Sequence, residues 1–451
     1  DLKEAKTLLS IHENSKNSTK IIANLQNDPS TLRVLKFVEI YNYIKKLSSK
    51  KSQFPGVRIK PFNIDSWLES LPFKPTNDQL AAIKDIKNDI SQNIAAKRVI
   101  MGDVGSGKTL VMLAAALMIY PKPAVLMAPT SILADQLYSE AKRLLPSFYN
   151  TVLVKKGAKN VDFSDANLII GTHVLLYQSL PQSPLVMVDE QHRFGSNQRK
   201  KIDELTRDFD KRAHFLQFSA TPIPRTLSLI ESQIVSFSFL KEIPYKKNIH
   251  TIILQNSGFS GLLEHLKNEI QKNRQAIIVY PLVEESEMSS YQSLSEASGF
   301  WESRFEKVYL THGKDRDKED TLKKFADDGN ILLTTTVVEV GISLPKLSTI
   351  VIVGAERLGL ATLHQLRGRV GRNGGEGWCY IYTKLKDPPN RLLEFSRTLD
   401  GFLVAKLDLK NRQAGDVLDG TLQHGATFNY YDMEEDITQE ATHRLCKFKA
   451  P

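Results

Sequence analysis

The sequence predicts an α/β protein of two tandem doubly wound lobes, each a parallel β-sheet covered by helices. Three observations carry that expectation. Between residues 97 and 355 short apolar strand-like runs alternate with helical stretches, the pattern of sheets buried on both faces. The roughly nine or ten strands this yields are many for one sheet, and Pro244-Tyr-Lys-Lys-Asn248 makes a polar break near the middle. Gly102-Asp-Val-Gly-Ser-Gly-Lys-Thr109 lies between the strand-like run Val99–Met101 and the helix-like run Leu110–Ile119, a strand–loop–helix unit.

In chain order, strands are expected at Ala124–Met127, Asn167–Ile170, Leu185–Val188, His214–Phe218, Thr251–Leu254, Ala276–Tyr280, Lys307–Leu310, Ile331–Thr334 and Thr349–Val353. Amphipathic helices are expected at Ser131–Leu145 and Gly261–Lys272, and residues 284–304 read as a surface insertion with some helix. The expected domains are a basic helical linker region (1–70), lobe one (71–243), lobe two (244–388) and a C-terminal module (389–451).

With 451 residues, 41% apolar and 25% charged, the chain has the composition of a soluble globular protein too long for one core. It contains no apolar run near 18–20 residues, which excludes a membrane-spanning helix, and no secretory signal opens it. It starts at Asp1 rather than Met, as a fragment or processed form would. Cys379 and Cys446 are 67 positions apart and lack metal-ligand spacing; a reducing cytoplasm is the expected compartment. The net charge of +9 is uneven: residues 1–60 hold twelve Lys/Arg against five Asp/Glu, with Lys45, Lys46, Lys50, Lys51, Arg58 and Lys60 close together. Such a region neutralises nucleic-acid phosphate or is simply a solvated face, and charge alone does not separate the two.

The chemistry starts at the P-loop. Gly102, Gly105 and Gly107 let backbone N–H groups face a phosphate, and the following helix points its N-terminus there. Lys108 reaches the β- and γ-phosphates, Ser106 lies in the same loop, and the Thr109 hydroxyl ligates Mg²⁺. The apolar strand Leu185–Val188 runs into Asp189 and Glu190. Asp189 is placed to hold the Mg²⁺ water shell, leaving Glu190 free to orient and deprotonate the attacking water. Ser219 and Thr221, in Ser219-Ala-Thr-Pro222, are expected to hydrogen-bond to the Asp189–His192 turn and report nucleotide state. Gln365-Leu-Arg-Gly-Arg-Val-Gly-Arg372 sets Arg367, Arg369 and Arg372 in one short segment of lobe two, where they can grip the transferring phosphate from across a cleft. ATP would then join the lobes when bound and release them when hydrolysed.

Together and in this order, these motifs resemble the superfamily 2 helicases, whose lobes are RecA-like. Asp189-Glu-Gln-His-Arg-Phe-Gly195, Ser219 through Thr226, Pro281-Leu-Val-Glu-Glu-Ser286, Thr335-Thr-Val-Val-Glu-Val-Gly341 and Ala355-Glu-Arg-Leu-Gly-Leu360 narrow the resemblance to the RecG branched-DNA helicases, from about Leu71 onward. Ser106 and Gln191 favour RecG over the transcription-repair coupling translocases, which usually have Phe and Glu there, and a translocase of that coupling type is the rival among enzymes.

The resemblance implies an ATP- and Mg²⁺-dependent translocase acting on duplex and branched DNA, including stalled forks and Holliday junctions, in recombination and repair. It further implies a bacterial cytoplasmic monomer, with single-strand-binding protein among its partners. Phe73 and Gln79 would form the adenine pocket. Pro129, Thr130, Thr172 and His173 would meet the DNA backbone, and His192, Thr335 and Thr336 would couple it to the nucleotide. Gln365 would act in catalysis, and Gly341 and Ser343 would lie beside the ribose. Arg412 and Gln423 would serve a C-terminal helical-hairpin and loop module. Three positions depart from the family pattern: Ser343 replaces an Asp, and Gln413 and Ala414 replace Gly and Pro. The family's N-terminal wedge with its OB-fold finds no room in residues 1–70. An ATP-gated DNA clamp without productive stepping is the rival from another functional class.

Overall fold

The computed structural model describes residues 2–12, 28–49, 53–155, 157, 158, 161–190, 194, 195, 197, 198, 201, 204, 211–220, 225–245, 248–281, 291–313, 315–335, 344–371, 375–408 and 428–449. They form two compact units. One comprises residues 1–53, 223–237 and 409–451; the other comprises 54–222 and 238–408 and holds both sheets.

The helical unit brings the two ends of the chain together. Helix α1 (Leu2–His12) and helix α2 (Pro29–Ser49) come from the start, and the C-terminal helix Glu435–Lys449 packs against α2. Phe37, Ile40 and Ile44 of α2 share a core with Ile437, Ala441 and Leu445 of that last helix, and Ile230 joins them. Polar bonds fix the alignment: Arg33 pairs with Asp436 at 2.6 Å and Glu440 at 3.0 Å, and Glu39 accepts the backbone N–H groups of Asn429, Tyr430 and Tyr431.

The first sheet contains β1 (Lys97–Gly102), β2 (Ala124–Met127), β3 (Thr151–Val154), β4 (Leu168–Gly171), β5 (Leu185–Asp189), β6 (His214–Ser219) and β7 (Ser236–Leu240), in the order β3-β4-β2-β5-β6-β1-β7. The second contains β8 (Asn248–Leu254), β9 (Gln275–Val279), β10 (Val308–Thr311), β11 (Ile331–Thr334), β12 (Leu347–Val353) and β13 (Glu376–Tyr382), in the order β10-β11-β9-β12-β13-β8. All the registered pairings are parallel. The central strands are mostly apolar because helices cover both faces: β2, β4, β5, β9 and β11 are buried at every position, with polar Asp189, Gln275 and Thr334 at strand ends. Every strand expected from the sequence is present. The edge strands β3 and β7 and the glycine-containing β13 were not expected.

Packing groups the chain otherwise than the expected domain bounds. Ile59, Ile64 and Trp67 lie in the core of the first sheet, so the segment before residue 71 packs as part of lobe one. Leu392, Phe395 and Val404 lie in the core of the second sheet, so residues up to 408 pack with lobe two. The expected surface insertion is also different where it is described. Its helix Leu294–Glu302 opens with a capping box at Ser293 and Glu296, and it buries Leu294, Ala297 and Trp301 against the second sheet.

Candidate nucleotide site and interlobe contact

The site forms where three neighbouring strands end together. Strand β6 lies between β1 and β5, with Met101 opposite Ser219 and Phe218 opposite Asp189. The P-loop, Ser219-Ala220 and Asp189-Glu190 therefore leave one sheet edge side by side. The outer two strands are two spacings apart, about 10 Å, room for a phosphate and its metal.

Gly105 and Gly107 have φ of 85° and 77°, backbone that side-chain-bearing residues rarely adopt. Their space is also occupied: a Cβ on Gly107 would overlap Gln79 Nε2, and one on Gly105 would overlap Tyr245 Oη. Gly107 is the N-cap of the helix Lys108–Met118, which the chain enters buried on nearly every side. Lys108 Nζ donates to the carbonyls of Gly102 (2.8 Å) and Asp103 (3.2 Å), and Thr109 is half-buried in the first turn. Ser106 Oγ is buried with no hydrogen-bond partner among the described residues. Loop glycines, helix N-terminus, lysine and hydroxyl together fit a nucleotide phosphate.

Gln79 has other partners than the adenine edge expected for it. Its Oε1 accepts the Thr76 N–H (2.9 Å), completing a capping box, and its Nε2 donates to the Ser106 carbonyl (2.8 Å). The amide thus clamps the P-loop from below. Phe73 is 43% exposed.

Asp189 and Glu190 are both buried. Glu190 has φ of 50°, a strained left-handed conformation for a residue with a side chain. It is held there: its N–H donates to Phe218 O (2.8 Å), its Oε1 accepts the Ala220 N–H (2.5 Å), and Ser219 Oγ reaches its Oε2 at 3.5 Å. The expected link from Ser219 to the carboxylate turn is present. The backbone N–H of Ala220 also binds the Glu190 carboxylate, a contact no side-chain motif reveals.

Lobe two presents Gln365 half-buried and Arg369 buried at the end of the helix Leu360–Arg367. Arg367 is a core residue. It donates to Phe395 O at 2.9 Å, stacks 4.0 Å from the Phe395 ring centre, and burial pushes its guanidinium down to about 10. It therefore cannot reach a phosphate as the three-arginine reading expected. His364 donates from Nε2 to Asp103 Oδ1 of the P-loop at 2.8 Å, a contact between lobes that no motif signalled.

Of the DNA-facing candidates, Thr130 N-caps the helix Ser131–Leu144 by accepting the Leu133 N–H at 3.2 Å, and Pro129 lies half-buried before it. Thr172 is buried, His173 is exposed, and Thr335 is buried just beyond β11. His192, Thr221, Thr336, Gly341, Ser343, Arg372, Arg412 and Gln423, with Gln191, Gln413 and Ala414, lie outside the described residues.

Residues 76–230 match the DEAD/DEAH box helicase family, and residues 259–374 match the helicase conserved C-terminal domain. An ATP-dependent DNA helicase RecG of Helicobacter pylori is 48% identical over 422 residues, covering 91% of this chain and 68% of that protein. The chain belongs to the RecG family of ATP-dependent DNA helicases. The RecG of Aquifex aeolicus is 36% identical over 85% of this chain and 51% of its own length. A solved RecG bound to a three-way DNA junction superposes with a TM-score of 0.72 at 30% identity, covering 93% of this chain and 57% of that one. Dbp5 of S. cerevisiae, solved with RNA and ADP BeF3, shares the fold at 17% identity and a TM-score of 0.52. The chain thus spans between about half and seven-tenths of the RecG proteins it matches. Among the described residues no helix is long and apolar enough to cross a membrane.

Proposed function

We propose that this chain is an ATP-driven motor that moves on duplex DNA and acts at branched DNA. The observation that carries the reading is the division of parts within one unit. P-loop and carboxylates leave one edge of the first sheet, while His364, the residue just before the arginine segment, reaches the P-loop from the second lobe. A group supplied from the other lobe acts only when the lobes meet, which is how hydrolysis is tied to movement. Glu190 positions and deprotonates the attacking water, and Arg369 stabilises charge on the transferring phosphate. Thr109 and Asp189 would hold Mg²⁺, which neutralises phosphate charge when bound. One chain supplies both halves of the site, so a monomer suffices. The likeness to the junction-bound RecG supports branched DNA as the substrate.

The test is steady-state ATP hydrolysis without DNA, with linear duplex and with a three-way junction, paired with displacement of a triplex-forming strand. Stimulation by DNA together with strand displacement is expected, and Lys108→Ala should remove both. DNA-stimulated hydrolysis without displacement would make the chain a clamp. No stimulation by any DNA would refute the motor.

A further inference from the structure

Asp103 is the second residue of the P-loop, and its carboxylate reaches out of lobe one. Its Oδ1 accepts the Val104 N–H at 2.6 Å and His364 Nε2 at 2.8 Å. The other ring nitrogen of His364, Nδ1, lies 3.0 Å from Arg367 Nη2. A guanidinium has donors only, so Nδ1 accepts and the ring proton sits on Nε2, directed at Asp103. The result is a directed relay from Arg367 through a neutral imidazole to the P-loop carboxylate. All three side chains are buried, at 1%, 3% and 4% residue exposure for Arg367, His364 and Asp103.

Two close approaches enclose the relay. A Cβ on Gly401, the first residue of helical segment 401–408, would lie 2.8 Å from His364 Nε2 and 3.2 Å from Asp103 Oδ2. A Cβ on Gly368 would lie 3.1 Å from Val104. The P-loop, the arginine-bearing helix and segment 401–408 therefore meet at one buried point. Charges buried this deeply are tolerated only while paired. Separating the lobes here would take the His364 donor from the Asp103 carboxylate.

We propose that Asp103 and His364 are a positioning pair, an interlobe latch that sets the arginine segment beginning at Gln365 against the P-loop. This rests on the motor reading and adds a part to it: neither side chain handles phosphate, but together they decide where Arg369 stands when hydrolysis occurs. A latch of this kind acts on turnover and leaves ATP binding, made by lobe one, nearly unchanged.

The test uses the whole chain with Asp103→Ala, His364→Ala and the double variant. Asp103→Asn and His364→Gln serve as conservative partners, since each keeps the acceptor or donor of the cross-lobe bond. Gly401→Ala is the third perturbation: it leaves both partners intact, improves local helix propensity and crowds Nε2. Readouts are kcat and KM for ATP with duplex DNA, and the interlobe distance distribution between spin labels, one on each lobe. Each alanine variant should lower kcat roughly tenfold or more with KM within about threefold, and the double variant should fall no further than the worse single. The distance distribution should broaden in the alanine and Gly401 variants, and the conservative variants should recover both readouts. Parental kcat in both alanine variants, multiplicative losses in the double, or a KM effect without a kcat effect would each overturn the latch. A parental chain that hydrolyses no ATP in response to DNA would instead refute the motor reading, while the distance measurement would still report on the latch.

Discussion

The first strand of the first sheet, β1, runs into Gly102 and a loop whose glycines take positive φ before a lysine. The first strand of the second sheet, β8, runs into Gln255-Asn-Ser-Gly258, where Gly258 has φ of −91° and no lysine follows. There Gln255 Nε2 is tied to the carbonyls of Leu385 and Lys386. The fifth strands differ in the same way. Strand β5 ends in Asp189 and Glu190, while β12 leads through Gly354 to Glu356, whose carboxylate accepts the Tyr291 hydroxyl at 2.6 Å. Yet the two sheets repeat one order: counted from the first strand of each, both read third, fourth, second, fifth, sixth, first, with β7 added at the edge of the first sheet. One scaffold thus occurs twice, and the loops at the strand ends set the copy with the phosphate-loop motif apart from the other.

The largest expected effect on that division comes from the arginine that lobe two supplies. Arg369→Ala should lower turnover by on the order of 10³-fold or more while ATP affinity falls little, and Arg369→Lys should restore only part because a point charge cannot grip two oxygens. Single-turnover hydrolysis and equilibrium binding of a fluorescent ATP analogue check this. Unchanged turnover would remove lobe two from the chemistry.

On the lobe-one side, Glu190→Gln keeps the bonds from Ala220 and Ser219 in shape but removes the base. Hydrolysis should slow by about 10²–10⁴-fold with nucleotide still bound. Parental turnover in this variant would assign the base elsewhere.

The next effect is on stability and should respect the lobe boundary. Trp301 is 2% exposed and donates from Nε1 to Tyr280 Oη at 2.8 Å in the second core. Trp301→Ala should cost roughly 3–5 kcal/mol, seen as an earlier calorimetric transition. ATP-analogue affinity of the variant at low temperature should match the parent, since the phosphate loop belongs to the other core.

The smallest expected effect is a pH dependence confined to lobe one. His214 accepts the Ala96 N–H at Nδ1 (3.2 Å) and donates from Nε2 to Val57 O (2.9 Å), so its neutral form satisfies both neighbours. Burial holds its pKa below the ordinary value of 6.5. The unfolded chain therefore binds the extra proton first, and this stability is present above pH 6.5 and is lost as pH falls below it. The parent should melt lower at pH 5 than at pH 7.5, and His214→Gln should narrow that difference. An equal difference in both proteins would place the acid sensitivity in other groups.

Much of this was legible in the sequence because it is local. The P-loop carries its own glycines and flanking helix, and the buried strands β2, β5 and β11 are built on the apolar runs Ala124–Met127, Leu185–Val188 and Ile331–Leu333. β3 and β13 were hidden for local reasons as well. β3 is a four-residue edge strand, and β13 carries Gly377, where a Cβ would meet Gly371 N at 2.7 Å, so a residue that argues against a strand is there for close packing.

The sequence by itself determined the two parallel α/β lobes, the phosphate loop, the paired carboxylates and the order of the motifs, since each is written in contiguous residues whose periodicity or spacing has one physical reading. Tertiary structure alone decided that Arg367 is a core residue, that Glu190 is held by the Ala220 backbone, and that Gln79 clamps the P-loop. It alone brought Asp103 to His364 across 261 positions. Such choices depend on burial and on partners distant in the chain, and a single sequence carries no mark of which side chains folding will bring within hydrogen-bond reach.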